Sequence, residues 1–190
     1  MIQEQPGPRS GPESEFDPDS PAEQPESSLR SLIDRIEDEM ATLQFSNFSQ
    51  TEALALGLLL VELGTARNLA IAIDIRRSAH ILFHASLAGA TPDNEIWVER
   101  KSRTAEQYAE PSLLVGLRGR LGGGRIEDNG WFDQSRYAAH GGAFPLYVRG
   151  TGPVATVTVS GLPQKADHDL VVEALTSFGR TTERNHQPDR

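Results

Sequence analysis

The chain has 190 residues, 37% of them hydrophobic, which is enough apolar material for one ordinary core and too little for two large domains. Its formal net charge of -9 and isoelectric point near 5.0 disfavour DNA, RNA and anionic membranes as partners, because those partners require a basic surface. The absence of cysteine excludes disulfides, zinc–thiolate sites, iron–sulfur clusters and a thiol nucleophile.

The N-terminal residues differ in composition from the rest of the chain. Pro6 to Ser27 are mainly Pro, Glu, Ser and Asp, which cannot offset the entropy cost of ordering, so residues 1–27 are predicted to form a disordered acidic tail. A partner-binding segment is the alternative. The first residues lack the features of a secretory signal, and no stretch reaches the roughly 18 apolar residues of a membrane span. A cytoplasmic protein is therefore expected.

Two helices are predicted next. Apolar residues spaced by three and four follow Ser27-Ser28, which can cap a helix, and they indicate an amphipathic helix through Leu43. Ser49 to Glu52 has the spacing of a capping box ahead of Ala53 to Leu63, a stretch that is apolar on nearly every side. This second helix is expected in the centre of the core or at a subunit contact.

The middle of the chain contains a predicted β-hairpin and a helix. Leu69–Ile75 and Ile81–Ala85 are short, β-branched or apolar, and separated by a polar break. Thr91-Pro92-Asp93-Asn94 supplies a cap residue and a proline at the first helical position, so a helix through Tyr108 should follow. Leu113 to Leu121 fits a short helix or a strand.

A second hairpin and a last helix complete the predicted domain. Phe144–Val148 and Val154–Ser160 flank a glycine-containing turn. Asp167 can cap a final helix that ends at Gly179, which leaves residues 180–190 as a flexible C-terminal tail. Residues 28–179 are thus predicted to form a single α+β domain with a mainly antiparallel sheet, because strands joined by tight turns run in opposite directions.

Several local motifs have the form of chemical sites. His80 and His84 have the spacing of a metal pair on a helix, but on a strand four residues span about 13 Å, too far for one ion. His140-Gly141-Gly142 has the form of an esterase oxyanion loop, yet Ser160 does not sit in a G-x-S-x-G motif, and a backbone bend before a strand explains the glycines. Gly122-Gly123-Gly124 is not followed by the Gly-Lys-Ser/Thr sequence that ends a phosphate-binding loop.

Charged residues on two of the predicted helices are further candidates. Arg100, Lys101 and Arg103 could bind a carboxylate or phosphate, although ion pairs with glutamates on the same helix are favoured. His168 lies between Asp167 and Asp169 and is either a ligand residue in a pocket or a solvent-exposed residue of the first turn.

These pieces together resemble a known family. The run from Ala138 to Pro145, then Arg149-Gly150, Val157 to Pro163 and Asp167-His168 is similar to the haem-degrading-domain family of GlcG-like or HbpS-like haem-binding proteins, and most similar to an uncharacterised branch of it. Upstream motifs such as Thr91 to Trp97 agree with this resemblance, which covers about residues 40–177.

The resemblance implies a profilin-like α-β-α sandwich around about five strands, a homo-oligomer, and haem as a possible cofactor. Haem requires an axial donor, an apolar slot and cations for its propionates. His140 or His168 could supply the donor, and the remaining candidates for walls and cations are Trp97, Phe144, Tyr147, Arg100, Lys101 and Arg149.

Three functional hypotheses follow. The first is a cytoplasmic haem-binding protein that assists oxidative haem degradation or iron release. The second is a non-catalytic oligomeric module that binds a protein partner, since no complete catalytic set is present. The third is an enzyme acting on a small molecule with His140 or His168 as general acid or base.

Overall fold

The computed structural model describes residues 16–20 and 24–185, with side chains up to residue 180. The helices in this part of the chain are α1 (Glu26–Thr42), α2 (Gln50–Ala66), α3 (Pro92–Tyr108), α4 (Ser112–Leu121) and α5 (Gln164–Asn185). The strands are β1 (Gln44–Phe45), β2 (Ala72–Arg77), β3 (His80–Ser86), β4 (Ala143–Val148) and β5 (Gly152–Ser160). The stretch from Leu113 to Leu121, whose sequence fits either a short helix or a strand, is helical.

One five-stranded sheet organises the domain, in the order β1-β4-β5-β2-β3. Both predicted hairpins are present: β2 pairs antiparallel with β3, and β4 pairs antiparallel with β5. The central pairing of β2 with β5 is also antiparallel, while the two-residue β1 runs parallel to β4. The predicted α+β class and mainly antiparallel sheet are therefore confirmed.

The two faces of the sheet differ in polarity. Alternate residues of β2 and β5, such as Ile73 and Val157, join α2 and α5 in the main apolar core. The other face presents Asp74, Thr158 and Ser160, all buried, and α3 lies across this face over β4 and β5. Helix α1 packs on α4 beside the sandwich. The polar face under α3 is where charged side chains are held inside the protein.

Helix α2 follows the sequence prediction at its start, and its two sides differ in burial along its length. Ser49 and Glu52 form the capping box, with the Ser49 backbone N–H donating to Glu52 Oε2 at 2.7 Å. Leu56 and Leu60 are fully buried in the core, whereas Leu54 and Leu58 are 52% and 54% exposed. The helix thus lies against the core and leaves an apolar face uncovered.

Three predicted helix boundaries are wrong. Helix α1 begins at Glu26 after Pro25, so Ser27 and Ser28 are helical residues and do not cap it. Asp167 lies inside the first turn of α5, because that helix already begins at Gln164. The helix also continues past Gly179 to Asn185, since a helical glycine costs only about 1 kcal/mol and no breaker follows. Residues 186–190 lie outside the described residues.

Part of the predicted N-terminal tail packs on the domain. Phe16 is 8% exposed and joins the cluster formed by α1 and α4, with Leu29, Leu113 and Leu117 among its members. The prediction of an unpacked tail therefore does not hold for residues 16–20, because one aromatic side chain supplies the apolar surface that the rest of the segment lacks. Residues 1–15 and 21–23 lie outside the described residues.

Candidate functional site

A polar pocket opens where the first half of α3 meets the end of β5 and the loop that leads into α5. Its volume is about 250 Å³. It is lined by Asp19, Asp93, Asn94, Trp97, Lys101, His140, Ser160, Gly161, Leu162, Pro163 and Gln164. We refer to it as the Lys101 pocket.

Lys101 and Asp167 form a buried ion pair at this pocket. Lys101 Nζ lies 2.7 Å from Asp167 Oδ2, and the two side chains are 5% and 0% exposed. Asp167 also accepts hydrogen bonds from the backbone N–H groups of Leu162, at 3.0 Å, and Gly161, at 3.4 Å. Asp167 therefore fixes the loop before α5 and orients the lysine.

Burial acts on both members of this pair in the direction of the neutral form. It lowers the pKa of Lys101, and the negative charge of Asp167 only opposes that effect. It raises the pKa of Asp167, and Lys101 opposes that effect in turn. Because desolvation is the larger cause at each group, transfer of the proton from lysine to aspartate is easier here than between solvated side chains.

His140 stands at the same pocket. Its Nδ1 atom is buried and has no hydrogen-bond partner among the described residues, and the nearest carboxylate oxygen, Glu127 Oε1, is 3.8 Å away. Burial lowers the pKa of His140, with Glu127 acting in the opposite direction. The Trp97 ring meets the imidazole edge-on at a centroid distance of 5.0 Å, and the Arg100 guanidinium lies 4.6 Å from the centroid of the Trp97 ring.

Two glycines and one serine position His140. A Cβ atom on Gly141 would lie 2.0 Å from the Gln164 carbonyl oxygen, and Gly142 has a φ of +123°. Ser112 Oγ donates to the His140 carbonyl at 2.5 Å and accepts from the Ala143 N–H at 3.1 Å. The backbone-bend explanation of the two glycines is therefore correct, and the bend holds the histidine at the pocket.

The N-terminal segment supplies one wall of the Lys101 pocket. Gln164 Nε2 donates to the Pro18 carbonyl at 3.2 Å and to Asp19 Oδ1 at 3.1 Å, and Arg120 donates to the same Pro18 carbonyl at 2.9 Å. Together with buried Phe16, these contacts hold residues 16–20 across the pocket edge, and we call them the N-terminal strap. Asp19 consequently brings a carboxylate to the site.

The structure brings together four of the residues predicted for the site. Trp97 and Lys101, on α3, line the pocket with His140, and Arg100 stacks on Trp97 beside it.

The other four predicted residues lie elsewhere, Tyr147 among them on β4. Phe144 is fully buried in the apolar core, and His168 is 1% exposed, so the alternative of a solvent-exposed His168 is wrong. Arg149 is at the turn after β4, where its Nη1 donates to the Gln44 carbonyl at 2.9 Å. That turn is separated from His140 by the whole six-residue strand, about 20 Å long.

A second charged network lies under α3, apart from the Lys101 pocket. Asp74, fully buried, accepts from Arg76 at 2.5 and 2.9 Å and lies 3.2 Å from His84 Nδ1, while His84 Nε2 lies 3.2 Å from Glu95 Oε2. His84 therefore has carboxylate partners and does not pair with His80 around an ion. Within the described residues, no group of three or more histidine and carboxylate side chains is arranged to hold a metal ion.

Several polar residues at the site were not identified as site residues from the sequence, including Asp93 and Asn94, which were assigned only to the start of α3. The pocket side chains of Asp19 and Gln164 were missed because Asp19 lies in a segment predicted to be disordered and Gln164 precedes the predicted helix start. The only local signal was Phe16, an aromatic residue in an otherwise polar stretch.

Comparison with known proteins gives the family. Residues 48–176 match the family described as "Haem degrading protein HbpS-like". The chain belongs to this family. It is 50% identical over 146 residues to a UPF0303 protein of Streptomyces avermitilis, an alignment that covers 77% of this chain and 90% of that protein. It is 49% identical over 146 residues to UPF0303 protein SCO2848 of Streptomyces coelicolor, with coverages of 77% and 92%.

Solved structures share the fold. The crystal structure of Ybr137w superimposes with a TM-score of 0.73 at 30% identity and covers 80% of this chain and 91% of its own. HbpS has a TM-score of 0.55 at 20% identity, with coverages of 70% and 91%. A structure described as a PduOC:Heme complex has a TM-score of 0.59 at 15% identity, with coverages of 68% and 94%. The last two likenesses establish the fold alone. Among the described helices, none combines the length and apolar character of a membrane span.

Proposed function

We propose that the chain binds haem at the mouth of the Lys101 pocket, where His140 would hold the iron. One observation carries the proposal. The Nδ1 atom of His140 is buried on the side of Glu127, which leaves Nε2 as the nitrogen available to a ligand in the pocket. Metal-binding histidines usually direct the other ring nitrogen to a carboxylate, and Glu127 is the carboxylate next to Nδ1, although 3.8 Å exceeds a hydrogen-bond distance.

The neighbouring side chains fit the chemistry of haem in part. Trp97 offers an aromatic wall next to His140, and Arg100 brings a cation for a propionate. The pocket volume of about 250 Å³ is below the roughly 300–1,000 Å³ of sites that enclose a drug-sized ligand. We therefore expect His140 to hold one side of the group at the pocket mouth, with most of the porphyrin outside the cavity.

The family description and a haem complex of the same fold support a role in haem metabolism. We place this role in the cytoplasm and assign it to oxidative haem degradation or iron release. When bound, haem would supply an iron centre that reacts with oxygen. The chain's own residues would hold the iron through His140 and place Trp97 against one side of the group.

A haemin titration tests the binding proposal. The full chain should develop a Soret band that saturates, and His140→Ala should lose it, while His80→Ala, which removes an exposed histidine of β3, should not. Binding no stronger than that of an unrelated acidic protein, or an unchanged band in His140→Ala, would overturn the proposal. Adding ascorbate in air tests degradation, because bound haem should then lose its Soret band faster than free haemin does.

We also infer that the chain forms a homo-oligomer through α2 and β3. Leu54 and Leu58 of α2 and Ile81 of β3 are each more than half exposed, and β3 is an edge strand of the sheet. An apolar patch beside unpaired strand backbone is costly to leave in water, and a second copy offers a surface of the same chemistry.

A further inference from the structure

Lys101 has a property that haem binding does not use. The chain has only two lysines, Lys101 and Lys165, against sixteen arginines, and one of these two lysines lies inside the pocket. An arginine at position 101 would retain the charge and could bond to Asp167, but guanidinium does not deprotonate in proteins. A lysine can lose its proton and become a nucleophile.

The surroundings of Lys101 are those of a reactive amine. Its side chain is 5% exposed, its Nζ atom lies 2.7 Å from a carboxylate that can take a proton, and it lines a cavity large enough for a small molecule. Desolvation lowers the pKa of this amine, as in known nucleophilic lysines.

We propose that Lys101 forms a covalent imine with a small, uncharged hydroxyaldehyde bound in the Lys101 pocket. The cavity of about 250 Å³ accommodates only a small ligand. Asn94 and Gln164 offer hydrogen-bonding groups for hydroxyls, and Trp97 offers an apolar ring face. Asp19 and Asp93 place carboxylates at the same pocket, which disfavours an anionic carbonyl compound.

Lys101 and Asp167 can supply and accept every proton that imine formation requires. The Lys101 ammonium gives one proton to Asp167, and the free amine attacks the carbonyl carbon, so that a C–N bond forms and the C=O π electrons move to oxygen. That oxygen takes one proton from the new ammonium nitrogen and a second from Asp167, and it leaves as water. The nitrogen lone pair forms the C=N bond, and Asp167 returns to its carboxylate form.

Borohydride trapping tests the proposal on the full-length chain. The protein is incubated near pH 7 with glycolaldehyde and sodium cyanoborohydride, digested, and mapped by mass spectrometry. Lys101 should carry more of the reduced adduct than Lys165, whose side chain is 23% exposed and lies 2.7 Å from Asp169, because a more hydrated amine is held protonated at this pH and reacts slowly. Labelling of Lys165 or Met1 that equals or exceeds that of Lys101 would overturn the proposal.

Two variants test which lysine is labelled, and a second aldehyde tests the charge of the ligand. Lys101→Arg keeps the positive charge next to Asp167 and should lose the adduct, while Lys165→Arg should retain it. If Lys101→Arg fails to fold, the peptide map of the labelled chain without substitutions still shows which of the two lysines carries the adduct. Glyoxylate should label Lys101 more slowly than glycolaldehyde, and equal labelling would overturn the assignment of an uncharged ligand.

The imine proposal is independent of haem binding. Trapping at Lys101 requires no haem, and the Soret band reports on His140. A chain that fails to bind haemin and is still labelled at Lys101 would refute only the haem proposal, and the reverse result would refute only the imine.

Discussion

Nε2 of His168 lies 2.9 Å from Oε2 of Glu39, and this contact joins α5 to α1 across the interior of the protein. The His168 ring also stands 6.1 Å, centroid to centroid, from the ring of Phe144 in the apolar core. Two residues predicted from their side-chain chemistry as haem contacts are therefore packed against each other. Neither lines the Lys101 pocket.

His168→Ala should reduce stability without affecting haem binding. Removing a buried hydrogen-bonded imidazole should lower the free energy of unfolding by about 1–3 kcal/mol. Glu39→Gln, which retains an oxygen acceptor for the ring, should cost less. Urea unfolding measures the first effect, and a haemin titration of the folded variant measures the second. A weakened Soret band in a fully folded His168→Ala would restore His168 as a ligand.

Gly141→Ala should be destabilising because its Cβ would meet the Gln164 carbonyl oxygen at 2.0 Å. The backbone of both segments must move, which should cost more than about 1 kcal/mol. Gly124→Ala is the matched control, since a Cβ there meets nothing within 4 Å. Thermal melts of the two variants should differ clearly, and equal melting temperatures would contradict the close approach.

Tyr147 should make stability depend on pH in the alkaline range. Burial raises its pKa from 10.0 to about 12, and its hydroxyl donates to the Ala109 carbonyl. The folded state therefore keeps the proton between pH 10 and 12, where the unfolded state loses it, so this contribution is complete below pH 10 and is lost as the pH rises towards 12. Tyr147→Phe should remove this part of the pH dependence. Denaturant unfolding at pH 9 and above compares the two chains, and parallel curves would count against the shift.

Leu58→Glu should dissociate the proposed oligomer. A carboxylate in the centre of the apolar α2 face would have to be buried without a partner at the subunit contact. Light scattering coupled to size-exclusion chromatography should show a smaller particle than that of the unchanged chain. Ser31→Glu, which adds a carboxylate at an exposed position of α1, is the control for a general effect of charge. An unchanged mass in Leu58→Glu would place the contact elsewhere.

The sequence predicts those parts of the fold that are determined locally. The two hairpins and the capping box at Ser49 follow from periodicity and turn residues within a few positions, and the structure contains both. Strand β1 has only two residues, too few for any periodicity, and it exists because it pairs with Tyr147 and Val148 about a hundred residues later.

For the site too, the sequence predicts residue types but not contacts between distant parts of the chain. Trp97, Lys101 and His140 could be identified as candidates by residue type, and they do meet at one pocket. The pairing of Lys101 with Asp167 could not be predicted, because it joins residues 66 positions apart through packing of α3 on the sheet. Asp167 was instead predicted to be a helix cap, since a short acidic side chain near a helix start has that role in most sequences.

The N-terminal strap brings charge to the pocket from outside the part of the chain that matches the family. The match begins at residue 48, whereas Asp19 reaches the pocket from a segment that precedes it. A substitution at Asp19 can therefore change the charge at the pocket mouth, and with it the ligands admitted, without altering any residue of the sheet or of the helices packed on it.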